Sequence, residues 1–309
     1  MRIKLCGLIA CAAMLAAGIV SCQQHDDIPQ GVKYPILFDS PDTRATATKE
    51  SLKNNGFMVY AYVDGNVNDI TFNKVVKYNE TYDVWAFETP EYWIPHTNYS
   101  FKAFYPSSFT AGELSVDTTK TDLNFTITGF DVANHQEDIL VASAIAVVPE
   151  GKAYPEKSVV DLNFQHLLAC IEIKIKSAVS GVKVESITIE GADNLGTYTS
   201  DSNKWVSTNK DEITIDSGVE LELNANHVNV TGDGILVIPA SAEGKTLIIK
   251  TINGATEKRY SVEFPDDNVW AMGKKYTYTA EIKQDYIVFN EPDVDEWDSE
   301  NATGSVIIK

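Results

Sequence analysis

Val160-Asp161-Leu162-Asn163-Phe164-Gln165-His166, followed by Leu167-Leu168-Ala169-Cys170 and then by Ile171-Glu172-Ile173-Lys174-Ile175-Lys176, is a run in which the apolar side chains change parity. Even positions are apolar up to Phe164, with His166 closing that face, and odd positions are apolar from Ile171 onward. Period-two alternation marks a half-buried β-strand. A regular strand cannot change its buried face, because a slip of one residue sends every side chain to the other side. Gln165 to Cys170 is therefore expected to hold a bulge, a bend or a change of sheet. We read it as the crossover between two domains.

Working outward, the same period continues on both sides. Upstream, Phe57–Val63, Val75-Val76, Tyr82–Phe87, Tyr99–Tyr105, Leu123–Ile127 and Ile139–Val148 read as strands. Downstream, so do Val182–Val184, Ile187–Ile189, Ile213–Ile215, Val219–Leu223, Ile235–Ile238, Leu247–Ile249, Tyr260–Phe264, Tyr276–Ile282 and Tyr286–Phe289. Gly191-Ala192-Asp193-Asn194 and Asn253-Gly254 read as turns. Only Ser51 to Gly56 hints at a helix. Short strands at this spacing predict an all-β chain of the sandwich or barrel type.

The N-terminus carries a different signal. Arg2 and Lys4 precede an apolar run from Leu5 to Val20 rich in small residues. That run falls short of the roughly 20 residues a membrane-spanning helix requires, and residues 1–21 read as a signal peptide. Ile19-Val20-Ser21-Cys22 resembles the bacterial lipobox, in which the cysteine is acylated and becomes the new N-terminus. Two or more acyl chains together give stable anchoring, so Cys22 is expected to tether the precursor. A polar spacer, Gln23 to Gly31, separates it from a short strand at Tyr34-Pro35-Ile36-Leu37-Phe38. Pro35 lacks an N–H and suits an edge or a strand's first residues. Ser40 to Thr48 is small and polar, the kind of exposed loop where proteases cut.

Composition excludes several functions. The 309 residues carry a formal charge of −19, which argues against nucleic acid, since a phosphate-binding surface must be basic. Cys6 and Cys11 leave with the signal and Cys22 is acylated, so Cys170 has no partner for a disulfide. Its apolar neighbours predict a buried, unreactive thiol. The histidines His25, His96, His135, His166 and His227 show no metal-ligand spacing, and His166 reads as a core histidine with a hydrogen-bond partner. Neither a nucleophile elbow nor a phosphate-binding glycine loop is present. Glu291, Asp293, Asp295, Glu296, Asp298 and Glu300 lack the glycine and final glutamate of an EF-hand and read as a solvated acidic loop. No catalytic residue, metal or cofactor is nominated, and no enzyme is expected.

Several segments together resemble the fimbrillin family, lipoprotein pilins of type V fimbriae from Gram-negative anaerobes. They are Cys22; Thr43-Arg44-Ala45 after Ile36-Leu37-Phe38; Leu162 to Ala169; Ile238-Pro239-Ala240; Trp270 to Tyr278; and Val294 with Trp297. The resemblance implies two β-sandwich domains of transthyretin-like topology, spanning 45–166 and 167–309, behind a lipidated propeptide at 22–44. It implies an outer-membrane lipoprotein precursor, with palmitate among its acyl groups, that ends in a cell-surface fimbrium. An arginine-specific protease would cut between Arg44 and Ala45 and release the first strand with the anchor. Assembly with other fimbrial subunits would follow by strand exchange, and a host or bacterial surface ligand is a further expected partner.

The donor candidate is the tail around Val306, Ile307 and Ile308. Equally, that tail could complete its own domain's sheet. Few residues follow Trp297, which would place a subunit needing a long donor at the tip of the fimbria. The competing reading is a surface glycan-binding lipoprotein whose Trp93, Trp205 and Trp297 form a sugar platform. Clustering of these rings on one exposed face, or their separate burial, distinguishes the two.

Overall fold

The computed structural model describes residues 32–39, 46–65 and 70–297. Cys22, the Arg44-Ala45 bond and the Val306-Ile307-Ile308 tail lie outside these described residues. The first part of the chain forms β1 (Leu37–Phe38), α1 (Thr46–Asn55), β2 (Phe57–Gly65), β3 (Ile70–Asn79), β4 (Val84–Phe87), β5 (Thr97–Tyr105), β6 (Glu113–Val116), β7 (Phe125–Asp131), β8 (Leu140–Val148), β9 (Val159–Val160) and β10 (Gln165–His166). One eight-stranded sheet takes them in the order β10-β8-β5-β2-β3-β4-β1-β9, leaving out β6 and β7.

The two outermost strands of that sheet, β9 and β10, are consecutive in sequence and joined by Asp161 to Phe164 alone. Five chain steps reach no more than about 18 Å. Seven interstrand spacings would set the edges of a flat sheet roughly 34 Å apart. The sheet is therefore curled until its edges approach, with Leu162 and Phe164 buried inside. Its interior is aromatic: Phe38, Phe57, Trp85, Phe87, Trp93, Tyr99, Phe101 and Phe164 share one core.

α1 buries Leu52 fully in this core. Gly56 ends it at φ +70°, donating its N–H to Leu52 O (2.8 Å). A Cβ there would lie 2.4 Å from Val76 O, so glycine is required by both backbone and space.

The parity change is a change of sheet. Val160, Leu162, Phe164 and His166 are buried while Asp161, Asn163 and Gln165 are exposed, and Leu167 to Ile173 is buried on both faces. β10 pairs with β8 in the first sheet. Three residues later β11 (Ala169–Ser177) lies at the centre of a second, parallel to β21 (Lys274–Ile282). Phe164 belongs to the aromatic core, and Leu167 already belongs to a second core.

That second core is a sandwich. Between β11 and β21 the chain forms β12 (Val182–Thr199), β13 (Lys204–Asp216), β14 (Glu220–Leu221), β15 (Val228–Asn229), β16 (Ile235–Val237), β17 (Ala240–Ser241), β18 (Thr246–Asn253), β19 (Thr256–Glu263) and β20 (Val269–Trp270), and after β21 it adds β22 (Ile287–Phe289) and β23 (Asp293–Glu296). Ile171, Ile173 and Ile175 of one sheet meet Val184, Ile187, Ile189, Leu247 and Ile249 of the other in one core. The fold is all-β and of sandwich type. The hairpin β6–β7 does not follow chain order: it precedes residue 166 but pairs with β12, and Phe125, Ile127 and Phe130 enter the second core.

Two local readings are corrected. Gly191 to Asn194 is not a turn between strands but a bulged stretch inside β12, with register shifts on both sides of Ala192 and Asp193 and Gly191 at φ +71°. The bulge lets β12 serve β13 along one edge and β18, then β7, along the other. It also buries Asp193, whose carboxylate lies 2.8 Å from the buried Lys245 ammonium. In the acidic run near the C-terminus Glu291, Asp293, Asp295 and Glu296 are exposed but do not all lie in a loop: Asp293 to Glu296 form β23 on β21, where Glu296 pairs with Lys274, while Asp298 and Glu300 lie outside the described residues.

Candidate functional site

β1 is a two-residue strand held between two neighbours of the first sheet. It sits between β4, antiparallel (Leu37 opposite Ala86, Phe38 opposite Trp85), and β9, parallel (Leu37 opposite Val159, Phe38 opposite Val160). The ladder is shorter than the expected Tyr34–Phe38, because Pro35 makes only an isolated bridge to Tyr92. Main-chain bonds extend the seat at both ends. The Trp93 N–H donates to Tyr34 O (2.9 Å), the Ile36 N–H to Glu91 O (2.8 Å) and the Asp39 N–H to Val160 O (2.8 Å).

Period two directs Tyr34, Ile36 and Phe38 to one face. Ile36 is 2% and Phe38 0% exposed. Phe38 occupies an aromatic box, edge-on to Phe57 (6.2 Å between centroids), Phe87 (5.4 Å) and Phe101 (5.6 Å). Tyr34, half-buried at the mouth, lies 4.8 Å from the ring of Tyr154. Burying an isoleucine or phenylalanine side chain contributes about 1.5–3 kcal/mol each. An empty seat would expose that apolar trench together with unpaired main-chain groups on β4 and β9. The segment holding Arg44 and Ala45 connects Asp39 to α1 and lies outside the described residues.

The tryptophans expected to form a sugar platform are separately placed. Trp93 (5% exposed) belongs to the first core and Trp205 (6%) to the second, where its Nε1–H donates to Leu167 O (2.7 Å). Trp297 stacks on His166 at 3.9 Å. His166 itself is buried with Nδ1 2.5 Å from Asp138 Oδ2, as expected of a core histidine. Among the described residues no group of His, Cys, Asp or Glu is placed to hold a metal ion. No helix among them is long and apolar enough to cross a membrane.

Cys170 is fully buried, its Sγ 3.5 Å from Asp233 O, and a Cβ on Gly234 (φ +103°) would lie 2.3 Å from that sulfur. Burial pushes its thiol up to about 12. The unfolded chain gives up this proton first. The fold's advantage at this group is thus complete below about pH 9 and is lost as pH rises towards about 12, at about 1.4 kcal/mol per pH unit. In a chain from residue 22 carrying Cys22→Ser, a thiol reagent at pH 8 is expected to leave Cys170 unlabelled in buffer and to label it fully in denaturing urea. Rapid labelling in buffer would overturn the buried assignment.

Comparison with known proteins places these features. A family described as fimbrillin-like matches residues 43–297. Two solved structures, each described as a "putative cell adhesion protein", share the fold. One from Bacteroides uniformis is 16% identical, covers 87% of this chain and 100% of its own, with a TM-score of 0.55. The other, from Bacteroides ovatus, is 13% identical with the same coverage and a TM-score of 0.57. No curated protein matches the chain.

Proposed function

The chain belongs to the fimbrillin-like family, and from that premise we propose that it is a subunit of an adhesive fimbria, made as a lipidated precursor and assembled by strand exchange. Cys22 anchors the precursor to the outer membrane. An arginine-specific protease cuts between Arg44 and Ala45, and residues 22–44 leave with β1. The strand of another fimbrial subunit then fills the vacated seat by β-augmentation. Because that contact is head-to-tail and does not close, a fibre grows. The mature subunit lies at the cell surface, in a structural rather than a catalytic role. We place the division between its two domains at the crossover, 45–166 and 167–309, with β6–β7 reaching across from the first into the sheet of the second.

The observation that carries this reading is the combination at β1. Its Ile36 and Phe38 complete the first core, and the residues joining it to α1 contain the arginine. One cut therefore severs the covalent link between a core strand and the rest of its core, so that another strand can displace it. The glycan-platform reading loses its motivating feature with the separate burial of Trp93 and Trp205.

Arg44→Ala is the direct test. Cells making this variant are expected to retain full-length precursor at the outer membrane, with no fibres containing it, when surface fractions are sized and blotted. Fibres of normal length from Arg44→Ala cells would overturn the proposal.

A further inference from the structure

The shape of the β1 seat specifies what can replace β1. The deep station is an aromatic box: Phe38 has no exposed surface, and the three rings around it stand edge-on to its own at 5.4–6.2 Å. Edge-to-face contacts of this kind contribute beyond the area they bury. An aliphatic side chain in the same box forfeits them and leaves a void, since walls relax only partly around a missing ring. Two residues away, the station of Ile36 takes an aliphatic group. At the mouth, the ring of Tyr154 lies against Tyr34 and is 40% exposed even with β1 in place.

This chain's own tail does not meet that specification. Residues 298–309 contain no aromatic side chain. Within Gly304-Ser305-Val306-Ile307-Ile308-Lys309 the only apolar pair at a spacing of two is Val306 and Ile308. In that frame the aromatic box receives an isoleucine or a valine, whichever way the strand runs. In the other frame Ile307 has Ser305 and Lys309 as its same-face neighbours, so filling both stations would bury a hydroxyl or an ammonium group among apolar rings.

We propose that the seat vacated by β1 selects a donor strand with an aliphatic residue two positions from an aromatic residue, and discriminates against the segment Gly304 to Lys309. The inference rests on the strand-exchange reading above and adds its selectivity.

The test uses the chain from residue 22 with Cys22→Ser and with residues 40–44 replaced by the recognition sequence of a site-specific protease, so that the nick forms whatever the fate of Arg44. The nicked protein is incubated with excess synthetic peptide, and occupancy of the seat is read by native mass spectrometry and by the rise in melting temperature. Three peptides are compared: Val32–Asp39, the same peptide with Phe38→Ile, and Gly304–Lys309. The first is expected to displace the 22–39 fragment, with the second and third each at least tenfold weaker. Equal binding by the tail peptide, or by the Phe38→Ile peptide, overturns the selectivity and leaves strand exchange standing. Failure of Val32–Asp39 itself to enter the seat overturns both.

Discussion

Phe38→Ala in the uncut precursor is expected to remove about 3–5 kcal/mol of stability, the usual cost of truncating a fully buried phenylalanine. The loss should be confined to the first core. Trp85 and Trp93 lie in that core, while Trp205 and Trp270 lie in the second. Urea unfolding of single-tryptophan variants should show an earlier transition at the first pair and an unchanged one at the second. Leu37→Ala, on the half-buried side of the same strand, should cost clearly less. An unchanged midpoint at Trp85 and Trp93 would mean that Phe38 does not seat as described, and the proposed consequence of cutting at Arg44 would fall with it.

Lys245→Met should be comparably damaging in the second core, by about 3–5 kcal/mol, because breaking a buried ion pair leaves one charge unpaired. The Lys245 ammonium also donates to Ser241 O (2.7 Å) and lies 5.7 Å from the Trp270 ring, so its whole environment is built around the cation. Lys210, 3.9 Å from Asp193 but largely exposed, offers only a partial substitute. The double variant Lys245→Met with Asp193→Leu should recover much of the loss, since an apolar pair of similar volume often replaces a buried ion pair without penalty. Calorimetry of the three proteins checks this. A double variant no more stable than the single would show that the bulge in β12, rather than the pairing of charges, depends on these residues.

What could be read from the sequence was what repeats locally. The parity change around Gln165 to Cys170 was visible because both flanking runs alternate cleanly, and it coincides with the change of sheet. Cys170 and His166 were legible because their neighbours are apolar. α1 was nearly invisible: Leu52 is the one large apolar residue in its ten, so the sequence gives almost no helical period. Gly191 to Asn194 has the composition of a turn. The buried partner that makes burial of Asp193 tolerable is Lys245, distant in sequence. The transfer of β6–β7 to the other sheet likewise rests on pairing with β12, which no local pattern encodes. The seat of β1 was readable as a short strand before a cuttable loop, but its box is assembled from Phe57, Phe87 and Phe101 on three different strands.

The four-residue link between β9 and β10 also sets a mechanical route. β9 forms the parallel wall of the seat, and beyond that link the chain runs through β10 directly into β11 at the heart of the second sandwich. If a donor strand takes the seat in the direction of β1, parallel to β9, tension along it is drawn from the end opposite to the β9–β10 link, and the bonds between the two strands are loaded together in shear. Nine residues beyond β9 the chain enters β11, whose pairing with β21 is the longest parallel ladder among the described residues, without passing through α1 or the β2–β3 hairpin. Under the proposed strand exchange, load entering at the seat would reach the second sheet through this link and β10.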